Sequence, residues 1–208
     1  ADKIKTIYNG IEFTTQTAKP LERATLNLKE DDLVITMVAR LHPIKGHELV
    51  FEALKQLNKQ DVKLLLVGDG PIKDELIQKA KDFAVDKQFI FLGFRQDVDA
   101  IYAASNLGLL ASYSESFPLA LLEAANQHIP LITTDVGGVR ELVKEAETGW
   151  IVPTGDSTEL AVAFSKAYDA AKNGELTVMG EKLYQHASTH FSLEQLYKET
   201  LQTYEKVK

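Results

Sequence analysis

Cysteine is absent from all 208 residues. That excludes disulfides and thiolate metal centres and suits a reducing compartment. Uninterrupted apolar runs are short, Leu64–Val67 and Leu119–Leu122 being typical, against the roughly 20 residues a membrane-spanning helix needs. Positive charge is in deficit, with 23 Lys and Arg against 30 Asp and Glu for a formal net charge of −7, which disfavours a nucleic-acid or anionic-bilayer partner. No G-x-x-x-x-G-K-[ST], H-E-x-x-H or G-x-S-x-G occurs, so a P-loop, a zincin site and a serine-hydrolase elbow are not expected. His42, His47, His128, His186 and His190 lack usable ligand spacing, and no metal is expected. Ala1–Tyr8 alternates lysine with isoleucine rather than forming an apolar signal core, so no secretory leader is expected there. Arginine is scarce too: Arg23, Arg40, Arg95 and Arg140 are the full set.

What is present is regular. Short β-branched and apolar runs fall at Leu33–Val38, Val62–Val67, Phe89–Leu92, Leu107–Leu110, Leu131–Thr133 and Trp150–Val152. Most lack a polar face, as strands do when helices cover both sides of a parallel sheet, and amphipathic stretches separate them. Leu49, Ala53, Leu54 and Leu57 form one apolar stripe; Leu76, Ile77, Ala80 and Phe83 form another. After Pro153 the pattern is helical only. Asp156 with Glu159 reads as a capping box for a helix that buries Leu160, Ala161, Phe164, Ala167, Tyr168 and Ala171. A further helix is expected over roughly 177–189, and a last one from Ser192 that turns Leu193, Leu196, Tyr197, Leu201 and Tyr204 inward. The expected fold is α/β: a Rossmann-like parallel sheet of about six strands, helices on both faces, and C-terminal helices. Residues 1–32 read as a linker-proximal segment and connection, 33–190 as the sheet domain and 191–208 as a C-terminal helix that packs back on the domain or toward an N-terminal half missing from this chain.

In such sheets ligands bind beyond the carboxyl ends of the strands. Arg40 and Arg95 follow the first and third strands, and Arg140 opens a helix after the fifth. The first loop, Ala39-Arg40-Leu41-His42-Pro43-Ile44-Lys45-Gly46, sets a guanidinium, an ammonium and a helix N-terminus where two adjacent phosphates could be neutralised. Gly68-Asp69-Gly70-Pro71 lacks the third glycine of a dinucleotide fingerprint and reads as a tight strand-to-helix turn. Glu115 and Glu123 stand eight residues apart across the fourth strand-to-helix junction. Spacing alone means little, because 17 glutamates give roughly 1.4 such pairs by chance. Context means more: Glu123 sits among Leu121, Leu122, Ala124 and Ala125, where a carboxylate needs hydrogen-bond donors. Vicinal ribose hydroxyls would satisfy Glu123, sugar hydroxyls Glu115, and the N–H groups of Leu119 and Ala120 face the same space.

These loops, taken in order with Asn9-Gly10-Ile11-Glu12, Leu92-Gly93, Pro130, Gly137-Gly138 and Gly149, resemble the C-terminal, nucleotide-sugar-binding half of retaining GT-B glycosyltransferases of family 4 (glycosyl transferases group 1). The resemblance covers nearly the whole chain. It implies catalytic roles for Arg40, Lys45 and Glu115. It also implies a donor site made of Arg40 and Lys45 on the diphosphate, Phe94 and Arg95 on the base, and Glu115, Ser116, Phe117, Leu119, Ala120 and Glu123 on the sugar and ribose. Ala39 replaces a common glycine, and Pro118 replaces another, which removes one N–H donor.

The implied reaction is transfer of a sugar from a nucleoside diphosphate sugar, a UDP-sugar foremost, with retention at the anomeric carbon. It would need no metal or other cofactor and would serve polysaccharide or glycoconjugate synthesis. The acceptor-binding N-terminal half is expected to be missing from this chain. Membrane contact, if any, would come through that half at the inner face of a cytoplasmic membrane, with the protein otherwise cytoplasmic. Two other readings stay open: a non-catalytic nucleotide-sugar-binding module, and half of a sugar-nucleotide epimerase.

Overall fold

The expected strands become one six-stranded sheet. In the computed structural model, which describes residues 4–205, β1 (Leu33–Val38), β2 (Val62–Val67), β3 (Phe89–Gly93), β4 (Leu107–Leu110), β5 (Leu131–Thr134) and β6 (Gly149–Val152) lie in the order β3-β2-β1-β4-β5-β6. Every neighbouring pair is parallel. β1, β4 and β5 are almost wholly buried, which is why they carry no polar alternation. Their buried hydroxyls are paired: Thr36 with Ser105 at 2.6 Å, and Thr134 with the carbonyl of Ser112 at 2.6 Å.

The described residues form eight α-helices: α1 (His47–Leu57), α2 (Lys73–Asp82), α3 (Val98–Ala103), α4 (Leu119–Asn126), α5 (Val139–Leu142), α6 (Ser157–Lys172), α7 (Glu175–His190) and α8 (Leu193–Glu205). On one face Phe51, Leu54, Leu160 and Phe164 from α1 and α6 join Ile35, Leu64 and Leu66. On the other, Leu121, Leu122, Leu183 and Ala187 from α4 and α7 join Leu110 and Leu131. Each such fully buried side chain contributes roughly 1.5–3 kcal/mol of transfer free energy. Asp156 caps α6 as expected, accepting from the amides of Thr158 and Glu159 at 3.0 and 2.9 Å.

Two features differ from the sequence reading. Leu193, Tyr197, Leu201 and Tyr204 of α8 are exposed, at 49%, 66%, 42% and 70%; the period marks an apolar stripe, but no described element covers it. The connecting segment is more than a link: the amides of Thr14 and Ala18 donate to Asn126 Oδ1 and Gln127 Oε1, and the Arg23 guanidinium donates to the carbonyls of Ala104, Lys29, Glu30 and Asp32 and to Asn106 Oδ1. The outer ends of the assigned terminal segments, 1–3 and 206–208, lie outside the described residues.

Candidate donor-binding cleft

Strand order reverses between β1 and β4, so the loops leaving these two strands diverge and open a crevice above them. The β1–α1 loop carries Arg40 and Lys45, and the β4–α4 loop carries Glu115. Backbone bonds join the crevice walls: the Tyr113 amide donates to the Ile44 carbonyl at 2.8 Å, and the Leu41 amide to the Asp69 carbonyl at 3.0 Å. Gly46 allows the first contact. Its φ of +71° is left-handed, and a Cβ there would lie 2.0 Å from the Ala111 carbonyl oxygen.

This closeness brings Lys45 and Glu115 together. Lys45 Nζ donates to Glu115 Oε1 at 2.6 Å, and Ser112 Oγ donates to the same oxygen at 2.7 Å. Sequence reasoning gave Lys45 to a phosphate and Glu115 to a sugar without pairing them, and it missed Ser112. A serine three residues before the glutamate was the available signal.

Arg40, on the same loop as Lys45, lines a cleft of about 470 Å³ together with Gly68, Asp69, Phe94, Arg95 and Glu123, among others. Arg40 is exposed and makes no ion pair among the described residues. Phe94 is 76% exposed, offering an aromatic face at the rim. Glu123 is half-buried; burial first, then repulsion from Asp99, raises its carboxyl above the ordinary value. Arg95 is committed elsewhere, gripping Asp97 through Nε and Nη2 at 2.8 and 2.6 Å. Arg140 grips Asp135 in the same way, at 2.8 and 2.6 Å.

The rest of the expected donor loop is split between core and cleft. The Phe117 ring is buried, 5.0 Å from Tyr8 and 4.9 Å from Phe191 between ring centres, so toward a ligand it offers backbone alone. Its carbonyl accepts from Asn9 Nδ2 at 2.9 Å, while the Ser116 carbonyl accepts from the Gly138 amide at 2.8 Å. Gly137, at φ +52°, passes so close that a Cβ would lie 2.3 Å from the Ser116 carbonyl oxygen. Leu119 and Ala120 open α4 immediately after Pro118, leaving their amides at a helix N-terminus.

His47, the first residue of α1, is 2% exposed, and neither ring nitrogen has a partner. Burial, with the Lys45 charge adding to it, lowers its pKa to about 4, so its ring is neutral at physiological pH. Among the described residues, no group of three or more His, Cys, Asp and Glu side chains is placed to hold a metal ion. No helix of the described chain is long and apolar enough to cross a membrane.

The family model for glycosyl transferases group 1 matches residues 18–185. The chain belongs to that family. This group 1 chain is 32% identical over 197 residues to N-acetyl-alpha-D-glucosaminyl L-malate synthase of Bacillus anthracis, covering 93% of this chain and 51% of that protein. To the UDP-Gal:alpha-D-GlcNAc-diphosphoundecaprenol alpha-1,3-galactosyltransferase of Escherichia coli it is 32% identical over 176 residues, or 80% of this chain and 46% of that protein. Its fold is similar to Anabaena Alr3699/HepE crystallised with UDP-glucose, with a TM-score of 0.86 and 26% identity over 97% of this chain and 57% of that one. The chain spans about half the length of the curated relatives it matches.

Proposed function

We propose that this chain is the C-terminal, donor-binding half of a retaining GT-B glycosyltransferase of family 4, which takes a UDP-sugar and passes the sugar to an acceptor held by an N-terminal half. The observation that carries this reading is that Arg40 and Glu123 line one cleft at the carboxyl end of the sheet, while Lys45, on the same loop as Arg40, pairs with Glu115. A similar fold crystallised with UDP-glucose supports the class of ligand.

In this reading Arg40 and Lys45 hold the diphosphate and stabilise the charge that grows on it as the glycosidic bond breaks, in place of a metal ion. Removing either preorganised cation should weaken transition-state binding by about 2–4 kcal/mol in the full enzyme. Glu123 accepts from the ribose hydroxyls, Glu115 from the sugar, and the Leu119 and Ala120 amides face the sugar or a phosphate. Phe94, Ser116 and the backbone around Arg95 and Phe117 complete the base and sugar walls. The sugar leaves with retained configuration only when an acceptor oxygen is held within ~3.5 Å of the anomeric carbon, which one wall of a cleft cannot do. The product would enter polysaccharide or glycoconjugate synthesis on the cytoplasmic side of a membrane, with any membrane contact made through the N-terminal half.

Titration calorimetry of the chain with UDP, GDP and ADP in excess chelator tests this assignment. Heat with UDP is expected. No heat with any of the three overturns the site.

A further inference from the structure

Two buried hydroxyls lie in sequence behind Glu115. Thr134 Oγ1, at the end of β5, donates to the Ser112 carbonyl at 2.6 Å. Ser112 Oγ donates to Glu115 Oε1 at 2.7 Å, and Lys45 Nζ donates to that same oxygen at 2.6 Å. Ser112 and Thr134 are both fully buried, at 0% exposure. Both donors converge on Oε1, and Oε2 accepts nothing from the described residues.

We propose that Ser112 is a positioning residue: with Lys45 it anchors one oxygen of Glu115 and leaves the other as the single acceptor presented to a hydroxyl of the donor sugar. This rests on the reading of Glu115 as the sugar contact. The last torsion of a glutamate is broad and not confined to staggered wells, so a carboxylate held by lysine alone would pivot about a flexible ammonium. Serine removes that freedom because its hydroxyl has one proton to give and is sealed from water. Should Glu115 turn away, the buried hydroxyl loses its acceptor, so the loss opposes the turn. The Thr134 bond holds the backbone from which Ser112 projects. Selectivity for nucleotide-sugar over free nucleotide then resides in a hydroxyl that touches no ligand.

The test is calorimetric titration of the 208-residue chain with UDP, and with UDP-glucose or UDP-galactose, whichever the unaltered chain binds more tightly. Ser112→Ala should weaken the sugar nucleotide about tenfold while leaving UDP within about twofold. Thr134→Val should act in the same direction but less, by about threefold. Glu115→Ala should lose the sugar nucleotide's advantage over UDP altogether. Equal losses of UDP and sugar nucleotide in Ser112→Ala would mean a merely structural role and overturn the proposal. So would unchanged binding in Ser112→Ala when Glu115→Ala loses the sugar nucleotide, a result that leaves the reading of Glu115 standing. A Glu115→Ala chain that binds the sugar nucleotide normally removes both. An unaltered chain that binds UDP but neither sugar nucleotide likewise removes both. If Ser112→Ala fails to fold by circular dichroism, the Thr134→Val comparison decides alone: a selective loss supports the proposal, and an equal loss or none overturns it.

Discussion

Glu115 and Glu123 are eight residues apart, yet they meet opposite environments. Glu115, in the middle of the β4–α4 loop, is already engaged: a lysine and a serine hold one of its oxygens. Glu123, inside α4, is half-buried, makes no ion pair among the described residues, and is destabilised in its charged form by burial and by Asp99. A carboxylate that the protein itself satisfies is aimed before any ligand arrives. One that the protein leaves wanting donors draws them from the ligand, so its ionised form and the bound ligand favour each other.

The largest effect should come from cutting the satisfied pair. Lys45→Ala removes the cation facing a carboxylate whose side chain is only 13% exposed. UDP affinity should fall by about 2–3 kcal/mol, read by calorimetry, and thermal stability should fall with it because Glu115 loses its partner. If Lys45→Ala leaves UDP binding intact, the lysine serves Glu115 alone and not the diphosphate.

Glu123→Gln should have opposite effects on binding and stability. UDP binding should weaken by about 1–3 kcal/mol. Stability should move the other way, for a reason of sign. A carboxyl whose folded pKa lies above its ordinary 4.5 binds its proton more tightly in the folded chain, so its contribution is present below the unfolded value and is lost as pH rises through the folded one. At pH 7 the ionised carboxylate is therefore a standing penalty. The glutamine variant should be more stable than the unaltered chain there, with the two converging below about pH 4. Denaturant midpoints at both pH values check this, and an unaltered chain that is the more stable at pH 7 would show Glu123 to be better solvated than its surroundings indicate.

The smallest effects belong to Arg95 and Arg140, whose forks are filled by Asp97 and Asp135. Either alanine variant should change stability by less than about 1 kcal/mol, and UDP affinity should change far less than in Lys45→Ala. A loss in Arg95→Ala comparable to that of Lys45→Ala would mean that the guanidinium leaves Asp97 for the ligand.

Much of the fold was legible in the sequence because its elements follow local rules. The strand runs at 33–38, 62–67 and 107–110 coincide with β1, β2 and β4, since a strand buried on both faces is apolar nearly throughout, Thr36 and Lys63 being the polar exceptions. The placement of Arg40 and Lys45 in the loop between β1 and α1 was legible for a related reason: the end of β1 was visible in the sequence. Pairing was less so. Three arginines at the carboxyl ends of strands looked alike in sequence, but two of them have a carboxylate two or five residues away that fills the fork. Arg23, in a stretch without period, turned out to staple that stretch to the amino ends of the strands. A second hollow of about 410 Å³ opens at that amino end of the sheet, lined by Glu30, Asp31, Asp32 and Asp61. Its charge would repel a diphosphate, which sets the two ends of the sheet apart.

By itself the sequence determined the α/β alternation, the parallel sheet, the helix caps and the short list of loops able to meet an anion, because hydrophobic period, capping chemistry and charge type are properties of neighbours along the chain. Only the tertiary structure decided that β4 returns beside β1, which brings Lys45 to the Glu115 oxygen that Ser112 also holds, and that the Phe117 ring is buried against Tyr8 and Phe191. It also left the apolar stripe of α8 uncovered. The Lys45–Glu115 pair and the packing of Phe117 join residues tens apart in sequence, and no local propensity encodes which of two apolar or charged groups another part of the chain will come to face.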